Sequence, residues 1–413
     1  MSAASEPCAL VAVTDLTTDE SGDVNLWIGQ GKQYYNVPNY VSNELCHRTS
    51  ALPLVTSHLP PSSLPVFSLL DFPLPPIIQM IKVVNADDFF SFNSATHTSS
   101  ECFNLSCPPR EILNTLRASA GQAMLDGKIS IQHWETISVF LPFDALGTWA
   151  LIVEANISKC AWGNALKWMD KQHGKIPDHS ISQVMALLHT VPWKEYIKGL
   201  GSGLSITGMA TFLSQEWLSD AHLDSMLSAT VHSHHDSLSR MVPHTEIVQS
   251  DFTSHILISP LLETTPIMQD YMEKAPRSSL RLGSIVSSCP KGIRIAAVAF
   301  SPPGHWACFL VDFQAGTILW GNSAGHKPPT GFEKRLNIWL GLFCPEIKFS
   351  ALQRLPCAHQ TDAFSCGIIA INTIKHHLFG DELWTQSSRE CLRVAEFLNI
   401  LKFSESCREW VST

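Results

Sequence analysis

Cys366 is the cysteine best placed for thiol chemistry. It stands where a polar loop enters the almost uncharged run 367–379, which is long for a strand and is followed by Gly380. That run predicts a buried helix with Gly380 as its stop. A cysteine at such an N-terminus faces unpaired backbone N–H groups and the positive end of the helix dipole, which favour the thiolate. Cys308 lies inside a strand-like run, and Cys289, Cys344 and Cys357 flank turns with no helix start behind them. Nucleophilic catalysis also needs a proton acceptor, a group that orients it, and donors aimed at a developing oxyanion. His305 follows the Pro-Pro-Gly turn 301–304 and opens a strand, so its side chain can project toward a cleft.

Two residues compete to orient His305. Asp312 carries charge but lies seven residues further along one strand, about 23 Å away at roughly 3.3 Å per residue. A hairpin turning at 314–316 brings the stretch near Asn322 back beside His305, so Asn322 is the expected partner and Asp312 a strand-end residue. An asparagine can orient an imidazole but cannot stabilise its cation by charge. Gln360, in the loop before Cys366, is expected to turn an amide donor toward the site faced by the Cys366 backbone N–H, completing an oxyanion hole.

The elements that must hold these residues can be read from periodicity. Strands are predicted over 293–300, 306–313 and 317–320 as a meander, with a helix over 331–343 and another strand over 347–355. Helical patterns cover 206–213 and 217–227, and a long, poorly patterned connection follows. Upstream, residues 1–76 mix β-prone runs such as 24–28 with a Pro-rich segment from 53 to 76, an irregular lead-in. Helical spacing returns over 111–124 and 181–188. The apolar stretch 137–153 carries Pro142 and Asp144 and is too short for a membrane span, so it is expected to be buried.

At 413 residues and 45% apolar content the chain can build two cores. The glycine-bearing stretch 199–203 is the expected boundary, giving an N-terminal region over 1–200 and a catalytic domain over 204–413. A net charge of −9 argues against general nucleic-acid binding. The twelve scattered cysteines and the absence of a secretory pattern indicate free thiols in an intracellular, nuclear or cytoplasmic, setting. His232, His234, His235 and Asp236 match no standard zinc spacing, and neither a metal nor another cofactor is expected.

Four segments, in order, resemble the ubiquitin-like-protein-specific proteases, the Ulp or sentrin-protease group related to the adenovirus endopeptidase. Trp217, Leu218, Ser219 and Asp220 resemble its Trp-Leu-Asn-Asp signature, and His305 with Trp306 its His-Trp pair. Gly321, Asn322 and Ser323 fall where the family has an aromatic residue followed by Asp-Ser. Gln360 through Cys366 and Gly367 is similar to its Gln-to-Cys-Gly motif. The resemblance implies an α+β fold with a papain-like core, a mixed sheet flanked by helices, preceded here by a mostly helical N-terminal region. It implies cleavage after the Gly-Gly end of a ubiquitin-like modifier, with Trp217 and Trp306 covering a narrow tunnel and Asp220 contacting the modifier. Asn322 in place of the usual aspartate is a departure, although papain-like enzymes do use a Cys, His and Asn set. An acyltransferase on the same fold and a catalytically weak modifier-binding protein are the alternatives.

Overall fold

The computed structural model describes residues 23–78, 85–199, 203–301 and 304–411. It contains two compact units, one drawn from residues 1–60 and 73–156, the other from 61–72 and 157–413. The division expected at 199–203 is therefore displaced to within the helix Ala145–Asp170; residues 200–202 lie outside the described residues. The reason is hydrophobic cover. Residues after 157 pack on the C-terminal helix, with the Trp162 and Phe397 rings 6.2 Å apart and Lys198 N–H donating to Ser404 Oγ at 3.1 Å.

The first unit is not purely helical. Its helix Arg110–Leu125 buries Leu113, Leu116, Ala120 and Met124 at helical spacing. Beside the helices stands a three-stranded antiparallel sheet of Phe90–Ser91, Ser130–Gln132 and Phe140–Leu141. The β-prone run near 24 is a short 3-10 turn, Val24–Trp27, because the Asp23 side chain accepts the Asn25 N–H and caps it. The stretch 137–153 divides between a strand and the start of a helix. No helix among the described residues is long and apolar enough to cross a membrane.

The second unit is organised by a five-stranded mixed sheet, its elements labelled here within that unit. The strands are β1 (His244–Val248), β2 (Ile293–Ser301), β3 (His305–Asp312), β4 (Thr317–Gly321) and β5 (Gln353–Arg354), in that spatial order. β1 runs parallel to β2 and β4 parallel to β5, whereas β2, β3 and β4 form the antiparallel meander. One face carries Ile295, Ala297, Phe309, Val311 and Ile318. These pack on Phe252, Leu282, Val286, Leu336 and Trp339 from helices α2 (Ser250–Ile258), α3 (Arg277–Ser288) and α4 (Phe332–Phe343). The other face packs on α5 (Cys366–Phe379). With both faces covered, β2 and β3 are nearly continuous apolar runs, which is why they were legible.

Two expectations change. The unpatterned connection after residue 227 contains β1, α2 and α3; β1 buries only Thr245, so no alternating pattern betrays it. The strand expected over 347–355 contracts to the exposed pair Gln353–Arg354 at the sheet's edge. Two further helices belong to the unit, α1 (Asp220–Ser233) and α6 (Arg389–Val411).

The α3–α4 contact is tight at Gly283, where an added Cβ would stand 2.4 Å from Phe343 Cε1 and Cζ. Gly283→Ala is expected to destabilise the protein by about 1–3 kcal/mol through overpacking, outweighing the roughly 1 kcal/mol gained in helix propensity. Urea denaturation of the variant measures the balance, and a net gain in stability would contradict this packing.

Candidate active site

α5 begins at Cys366 itself, with Gly380 at φ +80° as its C-terminal stop. The first N–H groups of a helix have no intrahelical partner, and here those of Cys366 and Gly367 face the sulfur. The backbone N–H of Trp306 does so too, so the start of β3, where His305 immediately precedes Trp306, adjoins Cys366. Cys366 is 1% exposed. Burial pushes its thiol above the ordinary range, and the charge of Asp362 acts in the same direction, against the lowering effect of the three N–H groups. Burial also holds the half-buried His305 below the usual imidazole value, with His326 adding to the effect. At neutral pH the resting pair is therefore a thiol and a neutral imidazole.

The tautomer of that imidazole follows from a chain of hydrogen bonds ending on a carbonyl. Gln360 Nε2 lies 2.7 Å from the Asp362 main-chain oxygen, which can only accept, so the amide nitrogen belongs on that side. Gln360 Oε1 then faces Ser323 Oγ at 3.1 Å and accepts its single hydroxyl proton. Ser323 Oγ is left to accept from His305 Nε2 at 3.2 Å. His305 thus carries its proton on Nε2, and Nδ1 is the free base.

This arrangement redistributes two expected roles. Asn322 follows β4 and lies beside His305 in the chain path, as the hairpin requires, but its side chain holds its own turn. Oδ1 accepts from Ala324 N–H at 2.9 Å and His326 N–H at 3.4 Å, while Nδ2 is buried without a partner. Ser323 is the residue that touches the histidine. The hairpin returns both residues beside His305, and nothing in a Gly-Asn-Ser triplet distinguishes which of the two side chains turns toward the ring. Gln360, expected to serve the oxyanion, instead directs its amide hydrogens at Asp362 O and, at 3.3 Å, Asp362 Oδ1. It orients Ser323. Asp312 is a strand-end residue, opposite Arg294 in register and bonded to it at 2.7 Å.

Asp362 shapes the loop that delivers Cys366. Its Oδ1 accepts from the N–H groups of Phe364 at 3.0 Å and Ser365 at 2.8 Å, and its Oδ2 accepts from Ser365 Oγ at 2.6 Å. Arg389 Nη1 of α6 stands 3.3 Å from Oδ2. Burial works against the charge, yet the bonds from Ser365, Phe364 and Arg389 hold the carboxyl below its usual range. One helical turn along α6, the buried Arg393 donates from Nε to Phe212 O at 3.0 Å and from Nη2 to the carbonyls of Thr211 and Glu216. Burial lowers this guanidinium to about 10, still a cation at neutral pH. Both arginines lie near the Phe364 ring. α6, absent from the sequence expectations, thus ties the Cys366 loop to the segment leading into Trp217.

Trp217 is 49% exposed and stands against Gly304. Gly304 has φ +105°, and an added Cβ would lie 3.3 Å from Trp217 Cζ3, so the turn before His305 requires glycine on both counts. Trp306 does not share the surface with Trp217. It is buried, its Nε1 donating to Leu218 O at 2.7 Å, and it supports Phe300 edge-on at 4.9 Å. Phe300, 46% exposed, is the aromatic residue facing solvent near Trp217. Asp220 is exposed at the first position of the helix Asp220–Ser233 and accepts from Ala221 N–H. His232 and His234 pack on Phe403 and Phe379, and among the described residues no group of three or more His, Cys, Asp or Glu side chains is placed to hold a metal.

No family model and no curated protein matches this chain. Solved structures similar to it include the SUMO protease Ulp1 with its catalytic cysteine oxidised to a sulfinic acid, at 15% identity and TM-score 0.37, covering 51% of this chain and 89% of that one. The Chaetomium thermophilum Ulp1-like SUMO protease catalytic domain is similar at 14% identity and TM-score 0.37, with coverages of 55% and 90%. The Xanthomonas campestris effector XopD bound to ubiquitin is similar at 14% identity and TM-score 0.30, with coverages of 46% and 92%.

A neutral resting pair predicts slow alkylation of Cys366 by iodoacetamide at pH 7. The rate should rise about tenfold per pH unit up to and past the ordinary thiol value of about 8.5, because burial raises this thiol. Mass spectrometry of the modified peptide across pH 5–10 checks this. A rate already at its plateau at pH 6 would indicate a resting thiolate–imidazolium pair instead.

Proposed function

We propose that the second unit is a thiol peptidase that cleaves after the Gly-Gly end of a ubiquitin-like modifier. The observation that carries this reading is the relay that leaves His305 Nδ1 as a free base at the start of β3, next in the chain to Trp306, whose backbone N–H faces the sulfur of a cysteine opening a buried helix. In the proposed reaction Nδ1 takes the thiol proton as Cys366 sulfur bonds to the glycyl carbonyl carbon. The carbonyl oxygen becomes the oxyanion, held by the N–H groups at the start of α5. Imidazolium then gives its proton to the leaving nitrogen as the C–N bond breaks, and water hydrolyses the thioester with His305 again as base. The Gly304 turn beneath Trp217 and Phe300 supports a substrate end without side chains. Trp217 and Asp220 are the proposed modifier contacts, with Trp306 a buried support.

A modifier carrying a C-terminal electrophile is expected to label wild-type protein and not Cys366→Ala. A panel of ubiquitin and SUMO probes with no labelling of wild type would refute the proposal. Ser323→Ala is expected to lower kcat about tenfold with KM little changed, since it frees the imidazole without touching the modifier contacts. Equal kcat in that variant would place the orienting role elsewhere.

The uncharged partner of His305 supports a second reading, a modifier-binding protein with little turnover. In that case Cys366→Ala would bind a modifier as tightly as wild type, and wild type would cleave no precursor.

A further inference from the structure

The spatial order of the strands places different chemistry on either side of His305. Toward β2 lie Phe300, Gly304 and Trp217. Toward β4 and β5 a groove of about 540 Å³ opens, floored by Trp320 and Leu352 and edged by His326, Lys327, Lys334 and Arg354. The His326 ring lies 6.1 Å from the His305 ring, so this groove begins at the catalytic base. Lys327, Lys334 and Arg354 are all exposed, and no ion pair engages any of them among the described residues. The acidic side chain of the groove, Glu333, accepts the Leu352 N–H. Glu333 and Lys334 also belong to the first turn of the twelve-residue α4, whose N-terminal dipole adds positive potential. A cationic groove on a chain of net charge −9 is a local reversal of sign.

We infer that this groove receives an acidic, extended peptide segment of the substrate on the leaving-group side of the scissile bond. The inference rests on the peptidase reading only for the word leaving-group. Three cations and a helix N-terminus select carboxylates by charge complementarity. β5 is the last strand of the sheet, and a sheet edge can pair with an added strand, which favours an extended chain over a compact anion. A modifier end entering past Trp217 and Phe300 would cross Cys366 and His305, and the chain beyond the cut would then run toward Lys327 and Arg354. The groove thus selects substrates by residues beyond the cut, independently of the modifier.

Two measurements on the full chain test this. In the first, a fluorescein-labelled ten-residue Glu/Asp-rich peptide is titrated by anisotropy against wild type and against Lys327→Glu/Lys334→Glu/Arg354→Glu, whose folding is checked by circular dichroism. Binding that weakens at least tenfold in the charge-reversed protein and falls with added salt supports the groove. No binding, equal binding to both proteins, or equally tight binding of a single-stranded oligonucleotide of the same charge overturns it. In the second, ubiquitin and SUMO precursors bearing acidic, neutral or basic tails after Gly-Gly are compared by kcat/KM. An acidic-tail advantage of about fivefold or more that disappears in the charge-reversed protein supports the leaving-group assignment, and indifference to the tail overturns it. If no precursor is cut and no electrophilic probe labels Cys366, the peptidase reading fails, while the anisotropy measurement still decides whether the groove binds acidic peptide.

Discussion

The site depends on one hydrogen bond, from the Gln360 amide to the main-chain oxygen of Asp362. A carbonyl cannot donate, so this contact sets the direction of every proton up the chain, through Ser323 to His305. Rigid polarity of this kind orients the base without a charge beside it. The consequence is chemical as well as geometric. With a hydroxyl rather than a carboxylate on Nε2, no carboxylate among the described residues bonds the imidazole to stabilise its cation, and burial lowers its proton affinity. The thiol is likewise held protonated by burial.

Negative charge is nevertheless close by, at Asp362. It faces the backbone of residues 364–365 and Arg389 rather than the histidine. There it sets the entry of the chain into α5 and pairs with Arg389. Arg393, one turn further along α6, reaches the carbonyls leading to Trp217. The two walls of the cleft are therefore referenced to one helix, and a shift of α6 would move the nucleophile loop and the aromatic wall together.

Much of the catalytic unit was legible in the chain itself. β2, β3 and α5 are apolar because both of their environments are protein, and glycine with positive φ marks the turn before His305 and the end of α5. Those features placed Cys366 at a helix start, His305 at a strand start, and excluded Asp312 by distance. β1 was illegible because it is short and buries only Thr245, and α3 because two of the four residues it buries at helical spacing, Ser279 and Gly283, are not apolar side chains beside Leu282 and Val286. The unit boundary was misplaced because a glycine cluster signals local freedom, whereas the boundary is decided by which apolar side chains cover one another across hundreds of residues.

What the sequence alone determined, then, is that Cys366 opens a buried helix and His305 opens a strand, since these placements follow from local periodicity and turn chemistry. What only the tertiary structure decided is the direction of the polar side chains. Asn322 and Ser323 are adjacent in the chain, yet one closes a turn and the other meets His305. Gln360 could face the nucleophile or the loop, and Asp362 draws it to the loop. Short polar side chains choose among backbone and side-chain partners of similar energy, so their roles are set by which partner the fold brings within about 3 Å, and no spacing rule encodes that.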